Sequence, residues 1–179
     1  MKTKTIIVLL AFIACLSACT PKVAFNEALR NNLDLKSIKP EKLQFYIDRN
    51  VDLRREAASN TTKITSGKIE LYKGKNVQIL SIKNLTPGIC IRSTDSTLDI
   101  AFENNNDLFL QFKKVKTVES DVKIYMLNTF KNEDGIVFVN YGGNSYQIEN
   151  YAAEAQILIK RKVANKEKVN IKNIKGRIL

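Results

Sequence analysis

The chain has no histidine and no tryptophan, and only three cysteines and three prolines in 179 residues. Without histidine there is no Ser-His-Asp or Cys-His nucleophile system, no histidine-ligated zinc, and no general base of the usual kind at neutral pH. No Gly-rich phosphate-binding loop of either common pattern occurs. No apolar run reaches the roughly 20 residues that a membrane-spanning helix needs. Scarce proline and 44% apolar residues set the chain apart from disordered sequences. Its length suits one domain with an ordinary core.

What is present begins with an address. Lys2 and Lys4 make a positive start, and Ile6 to Ala14 is an apolar stretch of nine residues. That is short for a membrane span and suits the hydrophobic region of a signal peptide. Leu16-Ser17-Ala18-Cys19 follows, with small residues where a signal peptidase must admit the backbone. The segment resembles the lipobox of bacterial lipoproteins. The resemblance implies diacylglyceryl transfer to the Cys19 thiol, cleavage after Ala18 and N-acylation of the new terminus. Each buried methylene contributes about 0.8 kcal/mol, so three chains hold a protein to a membrane for practical purposes permanently. The expected organisation is a signal peptide over 1–18, a lipidated tether over 19–24 and a single β-rich domain over 25–179. In the enteric pattern of this family an Asp after the cysteine implies inner-membrane retention, so Thr20 points to the outer membrane. Thr20-Pro21-Lys22-Val23 has no acidic cluster of the kind that accompanies surface export, which favours a domain facing the periplasm.

Cysteine arithmetic is then simple. Cys15 leaves with the signal peptide and Cys19 is acylated, so Cys90 has no partner for an intramolecular disulfide. Between Ile89 and Ile91 it reads as a small buried hydrophobe.

Residues 25–35 carry Phe25, Ala28, Leu29 and Leu33 at helical spacing, which predicts one short helix. From residue 41 the period changes to two. Leu43, Phe45 and Ile47 alternate with polar residues, Asp48-Arg49-Asn50 turns the chain, and Val51 and Leu53 start a return strand. Residues 56–66 read as a polar loop, and Gly74-Lys75-Asn76 and Asn84 to Gly88 read as turns. Further strands are expected at 88–92, 98–102, 108–112, 122–127, 135–141 and 145–148. Gly142-Gly143 supplies the positive φ of a hairpin turn. Ala153, Ala155, Ile157 and Ile159 line a face of another strand, and Val169 and Ile171 suggest a last one. About ten to twelve short antiparallel strands behind one helix predict an all-β sandwich or barrel-like domain. Phe45, Ile79, Ile91, Phe102, Phe112, Val137, Ile157 and Ile159 are the expected core.

The stretches Lys42 to Tyr46, Leu53 to Glu56, Gly67-Lys68-Ile69, Thr86-Pro87-Gly88 and Ala101-Phe102-Glu103 resemble a group of small bacterial lipoproteins with a compact β-domain. The resemblance covers roughly residues 40–115. It implies the fold and no activity.

Net charge is +11 and is unevenly placed. Residues 160–179 hold eight Lys and Arg against Glu167 alone. Without Lys2 and Lys4, that leaves only +2 for residues 19–159. Lys160 and Lys162 opposite Ile157 and Ile159, and Lys168 and Lys172 opposite Val169 and Ile171, predict a basic strand pair turning near Asn165. Such a patch suits an anionic lipid, lipopolysaccharide phosphates or an acidic envelope partner. The export signal argues against nucleic acid. The competing reading is a solvated edge whose lysines block edge-to-edge aggregation.

Other chemistry is sparse. Asp95, Asp99, Glu103 and Asp107 lie near turns, and two facing carboxyls at about 5–9 Å would suit glycoside hydrolysis. Turn Asp and Asn ordinarily serve the backbone instead. Residues 103–107 (ENNND) offer oxygens for calcium but lack the alternation and distal Glu of an EF-hand loop. Tyr141, Tyr146 and Tyr151 read either as an exposed strip for sugar stacking or as half-buried sheet residues. The expectation is a membrane-anchored, non-catalytic binding or envelope-structural module with no cofactor. The alternative is a small carboxylate-dependent periplasmic enzyme acting on glycans.

Overall fold

Alternating valine, isoleucine, leucine and phenylalanine build strands because one side of each pleat can be buried while the other stays wet. The structure, a computed structural model, describes residues 21–56, 68–72, 75–117 and 120–165. Among them, thirteen strands form two antiparallel sheets, an all-β sandwich. The larger sheet runs β1 (Lys22–Ala24), β13 (Ile157–Lys160), β2 (Gln44–Ile47), β6 (Pro87–Ser93), β7 (Thr97–Ala101), β8 (Phe109–Thr117) and β9 (Ser120–Leu127). The smaller runs β10 (Thr129–Lys131), β11 (Val137–Tyr141), β12 (Asn144–Gln147), β3 (Val51–Glu56), β5 (Lys75–Ile82) and β4 (Lys68–Tyr72). No helix among the described residues is long and apolar enough to cross a membrane.

The larger sheet is rolled. Isolated bridges join Ile124 to Asn26 and Met126 to Gln156, so the β9 edge meets the chain beside β1 and β13. The backbone N–H of Leu127 donates to the Ala155 carbonyl at 2.8 Å across the same seam. Helix α1 (Glu27–Leu35) packs over β9, with Leu33 buried. Its N-cap is Asn26, whose side chain accepts from the Leu29 N–H at 2.8 Å. Phe25, immediately before it, is buried in the seam.

Two of the corners that carry the chain between sheets are pinned by hydrogen bonds. At the first, Asp48 accepts from the Gln156 N–H at 2.8 Å and pairs with Arg49 at 3.1 Å. The second passes through Leu85, a non-glycine residue at φ +62°, whose N–H donates to the Ile47 carbonyl at 2.8 Å. Gly88 is there for close approach rather than for the turn. It is the second residue of β6, and a Cβ on it would lie 2.7 Å from Ile100 Cγ2 and 2.8 Å from the Phe102 ring. The Gly142-Gly143 hairpin has the expected geometry, with φ +55° and +73°.

Of the expected core, Phe45, Phe112, Val137, Ile157 and Ile159 are buried, and Ile79, Ile91 and Phe102 are half-buried. Three readings are corrected. Residues 22–24 belong to β1, paired with β13, and not to a tether. Ala153 closes a short helix α2 (Asn150–Ala153), and the strand after it is confined to Ile157–Lys160. Lys162 lies on a further helical turn, α3 (Arg161–Ala164), so Lys160 and Lys162 do not share a strand face. The thirteen strands, two of them of only three residues, accord with the expected all-β sandwich of about ten to twelve short strands. The signal segment, Cys19, the loop at 57–66, Lys168, Lys172 and the strand expected at Val169 and Ile171 lie outside the described residues.

Candidate functional site

Two places gather charge without neutralising it. The first is the edge of the larger sheet formed by β1 and β13. Lys22 and Lys160 stand directly opposite each other in the register of these strands. Their ammonium groups both approach the ring of Tyr46, at 4.5 and 6.0 Å from its centroid. The ring face offers each cation a modest attraction, while the two like charges repel. Arg161 and Lys162 follow on α3 and are exposed, and the Arg161 N–H donates to the Pro21 carbonyl at 2.8 Å, tying α3 to the start of β1. Among the described residues, none of these four cations has a carboxylate partner, whereas Arg30, Arg49, Arg54, Arg92, Lys114 and Lys116 all do. The structure thus keeps Lys160 and Lys162 at one edge. Lys22 joins them, although the sequence pattern places it in the tether.

The second place is a cleft between the sheets. Glu103, just past β7, accepts the hydroxyl proton of Tyr141 on β11 in a short hydrogen bond. Tyr141 is 2% exposed, and burial together with the carboxylate pushes its hydroxyl well above the usual tyrosine range. It therefore stays protonated and keeps donating. The pair lies at a cavity of about 230 Å³ whose lining includes Leu53, Leu80, Ile82, Thr86 and Phe102. The two residues are 38 apart in sequence. Nothing local marks them as partners.

Of the other three carboxylates, Asp99 is engaged and Asp95 and Asp107 face solvent. Asp99 is 1% exposed on β7. It accepts from Arg92 Nε and, at 2.8 Å, from the Gln111 amide, which in turn accepts from Asn128 at 2.7 Å. Asp95 and Asp107 are exposed, and the Asp107 N–H donates to the Asn105 side chain in a turn. Among the described residues, none of the four carboxylates hydrogen-bonds another. No cluster of three or more potential ligand side chains suited to a metal ion occurs among the described residues.

The tyrosine strip does not form. Tyr141 and Tyr146 are buried edge to face, at 6.1 Å between centroids, and only Tyr151 is exposed, with the Arg49 guanidinium 5.2 Å from its ring centre. Cys90 is buried at a β-bulge, and its thiol donates to the Arg92 carbonyl at 3.3 Å. Burial above all pushes this thiol up to about 12, so it is not a nucleophile at neutral pH.

Comparison with protein-family models, curated proteins and solved structures finds no match to this chain.

Proposed function

We propose that the chain is a lipid-anchored protein of the bacterial envelope, held at the outer membrane by acylated Cys19 with its β-sandwich facing the periplasm. In this reading it is a non-catalytic binding or envelope-structural module whose β1–β13 edge rests on anionic head groups. The observation that supports it most is the unneutralised edge of Lys22, Lys160, Arg161 and Lys162. Lys22 is three residues from Cys19, so the chain between them spans at most about 11 Å. That is close to the screening length of about 8 Å at physiological ionic strength. Each such cation near an anionic leaflet gains about 1 kcal/mol, and four gain about 4 kcal/mol, roughly a thousandfold in affinity. The repulsion of Lys22 and Lys160 in the free protein is relieved by the same surface.

Two measurements test this. Cys19→Ala is expected to abolish incorporation of a fatty-acid label, because no other thiol stands in the lipobox. Label that persists on the variant overturns the anchoring. Residues 20–179 are expected to co-sediment with phosphatidylglycerol vesicles and not with phosphatidylcholine vesicles, and to release steeply as salt rises. Replacing Lys22, Lys160, Arg161 and Lys162 by Gln should weaken that binding roughly a thousandfold. Equal binding to both vesicle types, or unchanged binding by the variant, overturns the role of this edge.

A further inference from the structure

The inter-sheet cleft sets the Glu103 carboxylate and the Tyr141 oxygen against apolar walls, with the hydroxyls of Ser81, which donates to Asp52, and Thr86 also in its lining. Tyr141 donates its single proton to Glu103, which leaves its oxygen with lone pairs only. The Glu103 carboxylate is an acceptor throughout, with sites left over after receiving that proton. Among the described residues no cation pairs with Glu103, in a chain that carries 29 Lys and Arg against 18 Asp and Glu. Leu53, Leu80, Ile82 and Phe102 supply the apolar lining. A cavity of about 230 Å³ lies below the ~300–1,000 Å³ of drug-sized sites and equals on the order of seven or eight waters in volume, so its occupant is small.

We infer that this cleft binds a small primary ammonium compound with a compact apolar body, its ammonium on the Glu103 carboxylate and Tyr141 oxygen and its body against Leu53, Leu80, Ile82 and Phe102. An ammonium supplies three donors and no acceptor, the complement of the Glu103 carboxylate and the Tyr141 oxygen. A carboxylate that meets it makes a charge-assisted hydrogen bond, stronger than a neutral one. A neutral alcohol of the same shape fills the walls but leaves the charge uncompensated. An acid of the same shape is repelled. This site is independent of membrane anchoring and lies apart from the β1–β13 edge in residues and in charge.

The test uses the full chain in a nonionic detergent, with methyl resonances of Leu53, Leu80 and Ile82 as the readout. The probes are phenethylammonium, phenethyl alcohol and 3-phenylpropionate. Phenethylammonium is expected to shift these methyls at millimolar concentration, with the alcohol about tenfold weaker or more, the difference of one charge-assisted hydrogen bond. The acid should leave them in place. Glu103→Gln keeps the shape and an acceptor for Tyr141 but removes the charge. It should lose the ammonium preference about tenfold while the rest of the spectrum stays superimposable. Equal affinity for ammonium and alcohol, unchanged binding by the variant, or unmoved methyls at about 10 mM phenethylammonium each overturns the assignment.

Discussion

Phe45→Ala is expected to bring the domain close to global unfolding at body temperature. Phe45 is fully buried on β2, and its ring meets Phe25 edge to face at 5.1 Å and 85°. Phe25 in turn lies 5.5 Å from Tyr125 on β9. These three rings join β2, the segment before α1, and the last strand of the rolled sheet. They fill the seam where that sheet meets itself. Truncating a buried phenylalanine to alanine costs about 3–5 kcal/mol in transfer and cavity terms, and losing an aromatic pair adds about 0.5–1.5 kcal/mol. A domain of this size has about 5–15 kcal/mol in all. Denaturant unfolding followed by circular dichroism should show a large fall in midpoint with little change in slope. Phe45→Leu should cost much less, because most of the apolar volume stays. A loss below about 1.5 kcal/mol for the alanine variant would mean that the seam is not closely packed.

Arg92→Met is expected to destabilise the fold by about 2–3 kcal/mol. Removing one partner of a buried ion pair costs about 3–5 kcal/mol, because the other charge is left without compensation. Here Asp99 is 1% exposed but the Arg92 side chain is 65% exposed, so solvent reaches one side of the pair and the figure is discounted accordingly. In the variant, Asp99 keeps only the Gln111 amide. The double variant Arg92→Met, Asp99→Leu should recover most of the loss, since an apolar pair of similar volume often replaces a buried ion pair at little cost. A double-mutant cycle measures this directly. If the single variant loses less than about 0.5 kcal/mol, solvent already serves Asp99 and the pair is not structural.

Much of the architecture was legible along the chain. Alternation of apolar and polar residues depends on the pleat alone, so Phe45, Phe112, Val137, Ile157 and Ile159 could be placed in the core from sequence. The Gly-Gly hairpin at residues 142 and 143 and the short helix ending at Leu35 were likewise local, set by backbone freedom and by helical spacing. Where a local rule met a tertiary demand, the tertiary demand decided. Gly88 looked like a turn residue and is instead needed for the close approach of Ile100 and Phe102 from the neighbouring strand. Residues 161–164 continue the alternation of β13 on paper, yet the chain coils there into α3, whose Arg161 N–H donates to the carbonyl of Pro21.

The sequence by itself determined the all-β class, the absence of histidine chemistry, and the concentration of positive charge in residues 160–179. Which charges are left unneutralised was decided only in three dimensions. Lys22 and Lys160 are 138 residues apart and come face to face through the β1–β13 register, and Glu103 reaches Tyr141 across the two sheets. A strand's period dictates which side chains share its face. It carries no information about which strand will lie alongside, because pairing partners are chosen by the burial of the whole core rather than by either segment alone.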